Sequence, residues 1–316
     1  SCFLDNIQLS TVPRLEFPDK LFGRDEELLR LGETYKRHLS EKIISGAIIS
    51  GRAGVGKTKF AMHMQKLTNQ NNGYFLSAKF ERNQSLKPLA TISNLFDSLC
   101  ETIFIDSSKS ELKVIEVELT SAIGSHSILL EVVPNLEKLM PASVVRGESA
   151  YSCVDSALSM KYILGELMRV ISSHSKPITL FIDDIQFADD ASLQLVGNLI
   201  LSAKRASTFF IICHRDDEVS IGGSFSSWLA SASMFSLESI QLESITPEGV
   251  NNLIAETLHL SHRITRRLSY ALHCKTRGNP LFLRQLLDSL TEQGYIYIDM
   301  NQHRWAWDLD KIMKLK

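Results

Sequence analysis

Cysteine is scarce and scattered: Cys2, Cys100, Cys153, Cys213 and Cys274 are the only five thiols in 316 residues, with no Cys-x-x-Cys pair among them. An odd set of widely spaced cysteines argues against both a disulfide framework and a zinc site, so reduced thiols are expected. No apolar stretch approaches the roughly 18 residues that a membrane-crossing helix needs. The opening SCFLDNIQLS has neither the basic start nor the apolar middle of a secretory leader. No membrane partner is expected, and the expected compartment is the cytoplasm. A surplus of one charge is missing too. The 34 Lys and Arg nearly cancel the 36 Asp and Glu, leaving −2. This argues against a nucleic-acid footprint, and with 44% hydrophobic residues it also argues against a disordered charged tail. The nine histidines form no His-Glu-x-x-His, so a catalytic zinc site has no support.

Short apolar runs alternate with helical stretches, which reads as an α/β fold around a mostly parallel sheet. The strand candidates are 46–50 (GAIIS), 74–80 (YFLSAKF), 178–183 (ITLFID), 208–213 (TFFIIC) and 239–243 (SIQLE). The first, third and fourth are apolar nearly throughout, as befits parallel strands covered on both faces. Residues 81–177 carry helical spacing and read as an insertion. Pro88, Pro134 and a loop over 141–149 mark its borders, and a helix start is expected at Asp106-Ser107-Ser108-Lys109, ahead of Ser110. Three helical patterns without a strand follow, at 247–258, 264–275 and 281–293. YIYID (295–299) and RWAWD (304–308) then read as a β-hairpin. Its Tyr295, Tyr297, Trp305 and Trp307 are either a stacking platform for nucleic acid or, the preferred reading, cross-strand pairs that hold the hairpin together or pack it on a helix. A chain beginning at Ser1 and ending in KIMKLK reads as a piece of something longer.

Between the first strand and the amphipathic FAMHMQKL lies Gly51-Arg52-Ala53-Gly54-Val55-Gly56-Lys57-Thr58, a P-loop (Walker A) pattern followed by Lys59. A polyphosphate needs main-chain N–H groups converging from a tight bend, and glycines let the chain make it. Lys57 is the candidate to reach the β- and γ-phosphates, and the Thr58 hydroxyl the candidate ligand for Mg²⁺. The third strand ends in Asp183-Asp184, a Walker B pattern that delivers carboxylates to the ligand end of a parallel sheet. Asp183 is the metal-side candidate. Asp184 is the candidate to orient or deprotonate an attacking water. The fourth strand runs into His214-Arg215. Arg215 either senses the γ-phosphate or pairs with Asp216, Asp217 or Glu218 at the surface. Arg263, Arg266 and Arg267 either touch phosphate or form a solvated helix face, the reading preferred here. No Asn-Lys-x-Asp stretch for reading guanine is present, so ATP or ADP is the expected nucleotide.

Across roughly 21–310 the chain resembles the STAND branch of AAA-related ATPases, and in particular the origin-recognition-like AAA module found inside large regulatory proteins and hybrid sensor kinases. Four segments carry the resemblance. They are Phe22-Gly23-Arg24-Asp25-Glu26 ahead of the P-loop, the P-loop itself, Leu180 to Asp189 (LFIDDIQFAD), and Arg277-Gly278-Asn279-Pro280-Leu281-Phe282 with the hairpin after it. The resemblance implies a P-loop NTPase core with a five-stranded sheet over 21–245, preceded by a linker over 1–20 and followed by a helical lid and hairpin over 246–316. It also implies that Gly278, Asn279 and Pro280 open a lid helix near the nucleotide and that Arg215 holds the first sensor position. Phe187 stands where the family has Trp, and Asp184 where many relatives have Glu. The function implied is an ATP-binding signalling switch with slow hydrolysis, passing its state to effector domains outside this chain and self-associating with nucleotide. The alternatives are a DNA-handling AAA ATPase and a nucleotide-bound scaffold without turnover.

Overall fold

The computed structural model describes residues 14–41, 45–82, 89–123, 133–140, 164–172, 176–202, 207–219 and 222–315. They form two compact units. One takes Glu26–Ala53 and Lys57–Leu242, and the other takes Gly54–Gly56, Glu243–Lys316 and Ser1–Asp25 as far as these are described. Cys2, Cys153, Pro88 and the expected loop over 141–149 lie outside the described residues.

In the larger unit five strands, β1 (Gly46–Ser50), β2 (Tyr74–Lys79), β3 (Ile178–Asp183), β4 (Thr208–Cys213) and β5 (Leu237–Gln241), form one sheet in the order β2-β3-β4-β1-β5. Every pairing is parallel, with Ile182 beside Ile212 and Ile48 beside both Ile212 and Ser239. β3 and β4 are buried at every position, which explains why they carry no polar alternation. Phe209 and Phe210 point to opposite faces. Phe210 joins Ile92, Leu95, Phe96, Leu99 and Ile103, one stripe of the helix Ala90–Asp106. Phe209 meets the edge of Tyr35 at 5.2 Å, on the helix Asp25–Glu41. Each phenyl group is fully buried, worth about 1.5–3 kcal/mol.

β5 starts and ends two residues before the expected 239–243. It is an edge strand whose only fully buried residue is Ile240, so its apolar signal is faint. β2 ends at Lys79 rather than Phe80. The helix leaving the P-loop is two, Lys57–Met62 and Met64–Gln70, separated where the His63 N–H turns to the Phe60 carbonyl at 3.2 Å, a tighter i to i−3 bond. The expected helix start in the insertion is a capping box. The Ser108 N–H donates to Glu111 Oε2 at 2.7 Å and the Glu111 N–H to Ser108 Oγ at 3.3 Å, opening Lys109–Ile123.

The smaller unit holds the helices Pro247–Thr257, His262–Thr276 and Pro280–Glu292, an antiparallel hairpin of β6 (Ile296–Asp299) and β7 (Arg304–Trp307), and a short helix Leu309–Lys314. Their core includes Val250, Ile254, Leu268, Leu272, Leu283 and Leu287. The hairpin aromatics take cross-strand partners, as expected: Trp305 faces Ile298, Trp307 faces Ile296 and Tyr297 faces Ala306. Tyr295, Trp305 and Trp307 also pack on this core, while Tyr297 is exposed.

Candidate functional site

The chain leaves β1 for β2 on one side of the sheet and leaves β4 for β5 on the other. The strand order therefore reverses around β1 and β4, where parallel sheets take ligands at the strands' carboxyl ends. The P-loop follows β1 there, Asp183 ends β3, and His214 and Arg215 follow β4.

Lys57 is buried at the start of its helix. Its ammonium donates to the Gly51 carbonyl at 2.7 Å and to the Arg52 carbonyl at 3.0 Å. Burial pushes its pKa down, opposed by the charges of Asp184 and Asp183. Beside it the Thr58 hydroxyl donates to Asp183 Oδ2 at 2.7 Å, across 125 residues of sequence. Asp183 is buried, and its other oxygen accepts the Asp184 N–H at 3.0 Å.

Asp184 turns the chain out of β3 with φ 52°, a left-handed conformation that Asp tolerates better than branched residues. Its buried carboxylate is fully engaged. Arg215 donates from Nε to Oδ1 at 2.9 Å and from Nη2 to Oδ2 at 3.1 Å, a bidentate clasp. Gln186 Nε2 adds a bond of 3.2 Å, and the Lys79 ammonium stands 3.5 Å away. Burial alone would raise the Asp184 pKa, but the hydrogen bonds from Arg215 and Gln186 and the charges of Arg215 and Lys79 outweigh it and hold it low. Arg215 also donates to Glu218 at 2.9 Å, so it makes one of the surface pairs foreseen for it while also gripping Asp184. Arg82 bonds the same Glu218 at 2.9 Å, and both guanidiniums lie over the Phe187 ring, at 5.3 and 5.5 Å. His214 is buried, with Nδ1 3.8 Å from Asp216, and burial lowers its pKa.

Lys79, Gln186 and Arg82 were not foreseen as partners of these groups, whereas Glu218 was one of the surface partners expected for Arg215. Lys79 had a legible signal, as the charged last residue of a strand, and it sits in register with Asp183. The others depend on turns that sequence periodicity does not describe.

In the smaller unit Gly54 (φ 79°) is packed so closely that a Cβ there would meet Asn279 Oδ1 at 2.7 Å and Leu281 Cβ at 2.9 Å. The Leu281 N–H donates to the Gly54 carbonyl at 3.3 Å. Arg24 is buried, and its guanidinium donates to the carbonyls of Val55 (3.4 Å) and Glu243. Asn279 caps the helix that Pro280 opens, its Oδ1 accepting from the N–H groups of Leu281 (3.1 Å) and Phe282 (3.3 Å).

The donor set fits a magnesium nucleotide. Thr58 and Asp183 offer the hard oxygens that Mg²⁺ takes together with substrate phosphates. Among the described residues, nothing lies within 4 Å of a Cβ built on Gly56 (φ 99°), a left-handed position that favours glycine in a tight phosphate-binding bend.

Residues 20–212 match the AAA ATPase domain family (AAA_16), and the chain belongs to that family. Hybrid signal transduction histidine kinase G of Dictyostelium discoideum is 25% identical over 364 residues, covering 94% of this chain and 10% of that protein. Peroxide stress-activated histidine kinase mak3 of Schizosaccharomyces pombe is 24% identical over 313 residues, covering 85% of this chain and 13% of that protein. The chain thus spans a small part of the curated relatives it matches. Among solved structures, the Aeropyrum pernix ORC2 protein in its ADPNP-ADP complexes is 14% identical with TM-score 0.53, covering 96% of this chain and 70% of that one. Cdc6p from Pyrobaculum aerophilum is 13% identical with TM-score 0.52, covering 91% and 67%. At these identities the likeness speaks to the fold, a P-loop NTPase with an all-parallel five-stranded sheet. Membership of the family implies nucleotide binding and makes the chain an ATPase module. Among the described residues no helix is long and apolar enough to cross a membrane.

Proposed function

We propose that the chain is an ATP-binding regulatory module of the STAND type, which changes conformation with Mg-ATP binding and slow hydrolysis inside a larger signalling protein. The 2.7 Å pair of Thr58 and Asp183 carries this reading, because it joins the P-loop hydroxyl to the carboxylate at the end of β3. In this reading main-chain N–H groups from Gly51 to Lys59, including those of Arg52, Ala53 and Val55, cradle the phosphates, and Lys57 exchanges its two carbonyl partners for phosphate oxygens. Thr58 and Asp183 hold the metal. Bound there, Mg²⁺ neutralises phosphate charge. In this reading Pro280, the first residue of the helix that Asn279 caps, also belongs to the nucleotide-binding set.

Asp184 is the group that orients the attacking water or takes its proton. As it stands it is a weak base, with both oxygens gripped by Arg215. Turnover therefore requires Arg215 to shift its grip, which suits a slow switch, and Arg215 is free to turn to the γ-phosphate when it does. A second reading, a nucleotide-bound scaffold without turnover, is favoured by the same clasp. The two histidine kinases support the signalling context, with effector domains elsewhere in the parent protein. An arginine finger is then supplied in trans by self-association. Phosphate release separates the two readings. The switch predicts slow release that Asp184→Asn lowers at least tenfold, whereas equal near-zero release from both proteins with ATP still bound leaves the scaffold.

A further inference from the structure

Apart from the nucleotide site, the smaller unit carries a groove of about 1160 Å³ between its first two helices and the short helix Leu309–Lys314. One wall is a single face of His262–Thr276, where Arg263, Arg266, Arg267, Tyr270 and Cys274 recur at helical spacing. The three arginines are exposed, as expected of a solvated face, and they also line this concavity; among the described residues none of them has a hydrogen-bond or ion-pair partner. The opposite side carries the apolar Leu309 and Met313 beside Asp310, and Tyr270 and Met313 are 65% and 62% exposed. The floor is fixed. Asn251 donates to the His262 carbonyl at 3.1 Å and accepts from the hydroxyls of Thr265 (2.8 Å) and Ser269 (2.9 Å), tying the two long helices together. Lys275 is held at the Leu315 carbonyl, so the short helix is tethered as well.

We propose that this groove is a docking site for an acidic amphipathic helix of a protein partner. Three unpaired guanidiniums along one wall call for carboxylates, while the exposed Tyr270 on that wall and the exposed Met313 on the facing helix call for apolar side chains one helical turn apart. The volume exceeds the roughly 300–1,000 Å³ of small-molecule sites, which suits a peptide segment. Charge complementarity also sets the partner class. Glu248 and Asp310 stand on the same lining, where they would repel a continuous phosphate backbone but can meet the occasional Lys or Arg of a peptide.

The test is selection of helical peptides of about 16 residues from a displayed random library on the 316-residue chain, in parallel with a chain carrying R263E, R266E and R267E. Selected sequences are expected to combine Asp or Glu with Leu, Phe or Met at i, i+3 or i+4 spacing. Their affinity should fall at least tenfold on the triple reversal, recover with R263K, R266K and R267K, and weaken with salt. Bound peptide should also slow alkylation of the exposed Cys274, read by mass spectrometry. ATP affinity unchanged in the reversal variant shows that the smaller unit remains folded and separates this outcome from that of the nucleotide reading. The proposal is overturned if no selected peptide depends on the arginines, if those that do lack acidic residues, or if DNA or RNA oligonucleotides bind through the arginines more tightly than any peptide.

Discussion

At the scale of single residues, the Asp184–Arg215 clasp is the dominant electrostatic feature of the candidate site. Arg215→Ala leaves a buried carboxylate with only Gln186 and a distant Lys79, so it should cost about 1–3 kcal/mol. Asp184→Asn removes the buried charge and keeps an acceptor, and should cost less. Urea denaturation of the two variants checks the order, and a reversed order would contradict the clasp. His214 gives a pH signature. Burial depresses its folded-state pKa, so between that value and the unfolded one, about 6.5, the unfolded chain binds a proton that the folded chain does not. Stability should therefore decline as pH falls below about 6.5, and His214→Gln should flatten that decline in melts at about pH 7.5 and 5.5. The P-loop and the two aspartates were legible in the sequence, because phosphate chemistry demands fixed residue types at fixed spacing. The partners of Asp184 were not. Gln186 sits in a 3₁₀ turn, where no periodicity announces a side chain's direction.

At the scale of elements, strands buried on both faces were read almost to the residue, since covered parallel strands are continuous apolar runs. Edge strand β5 was displaced because half of it faces solvent. Asp189, which the sequence offered only as part of a resemblance, has a structural task. Its carboxylate accepts from the Ser192 N–H at 2.9 Å and the Ser192 hydroxyl at 2.7 Å, capping the helix Asp190–Ser202. Asp189→Ala should cost about 1 kcal/mol by loss of that cap, whereas Asp189→Asn should restore most of it. Equal melting temperatures for wild type and Asp189→Ala would remove the cap from the account.

At the scale of the whole molecule, membership of the AAA ATPase family and the parallel sheet fix what the module is. The proposed switch adds that nucleotide and metal act on it together. Calorimetric titration of ATP with and without Mg²⁺, into wild type and Lys57→Ala, tests this most directly. The account predicts binding that Mg²⁺ strengthens and that Lys57→Ala weakens at least tenfold, with the variant's circular dichroism unchanged. Full ATP affinity in a folded Lys57→Ala chain, or affinity indifferent to Mg²⁺, would contradict it.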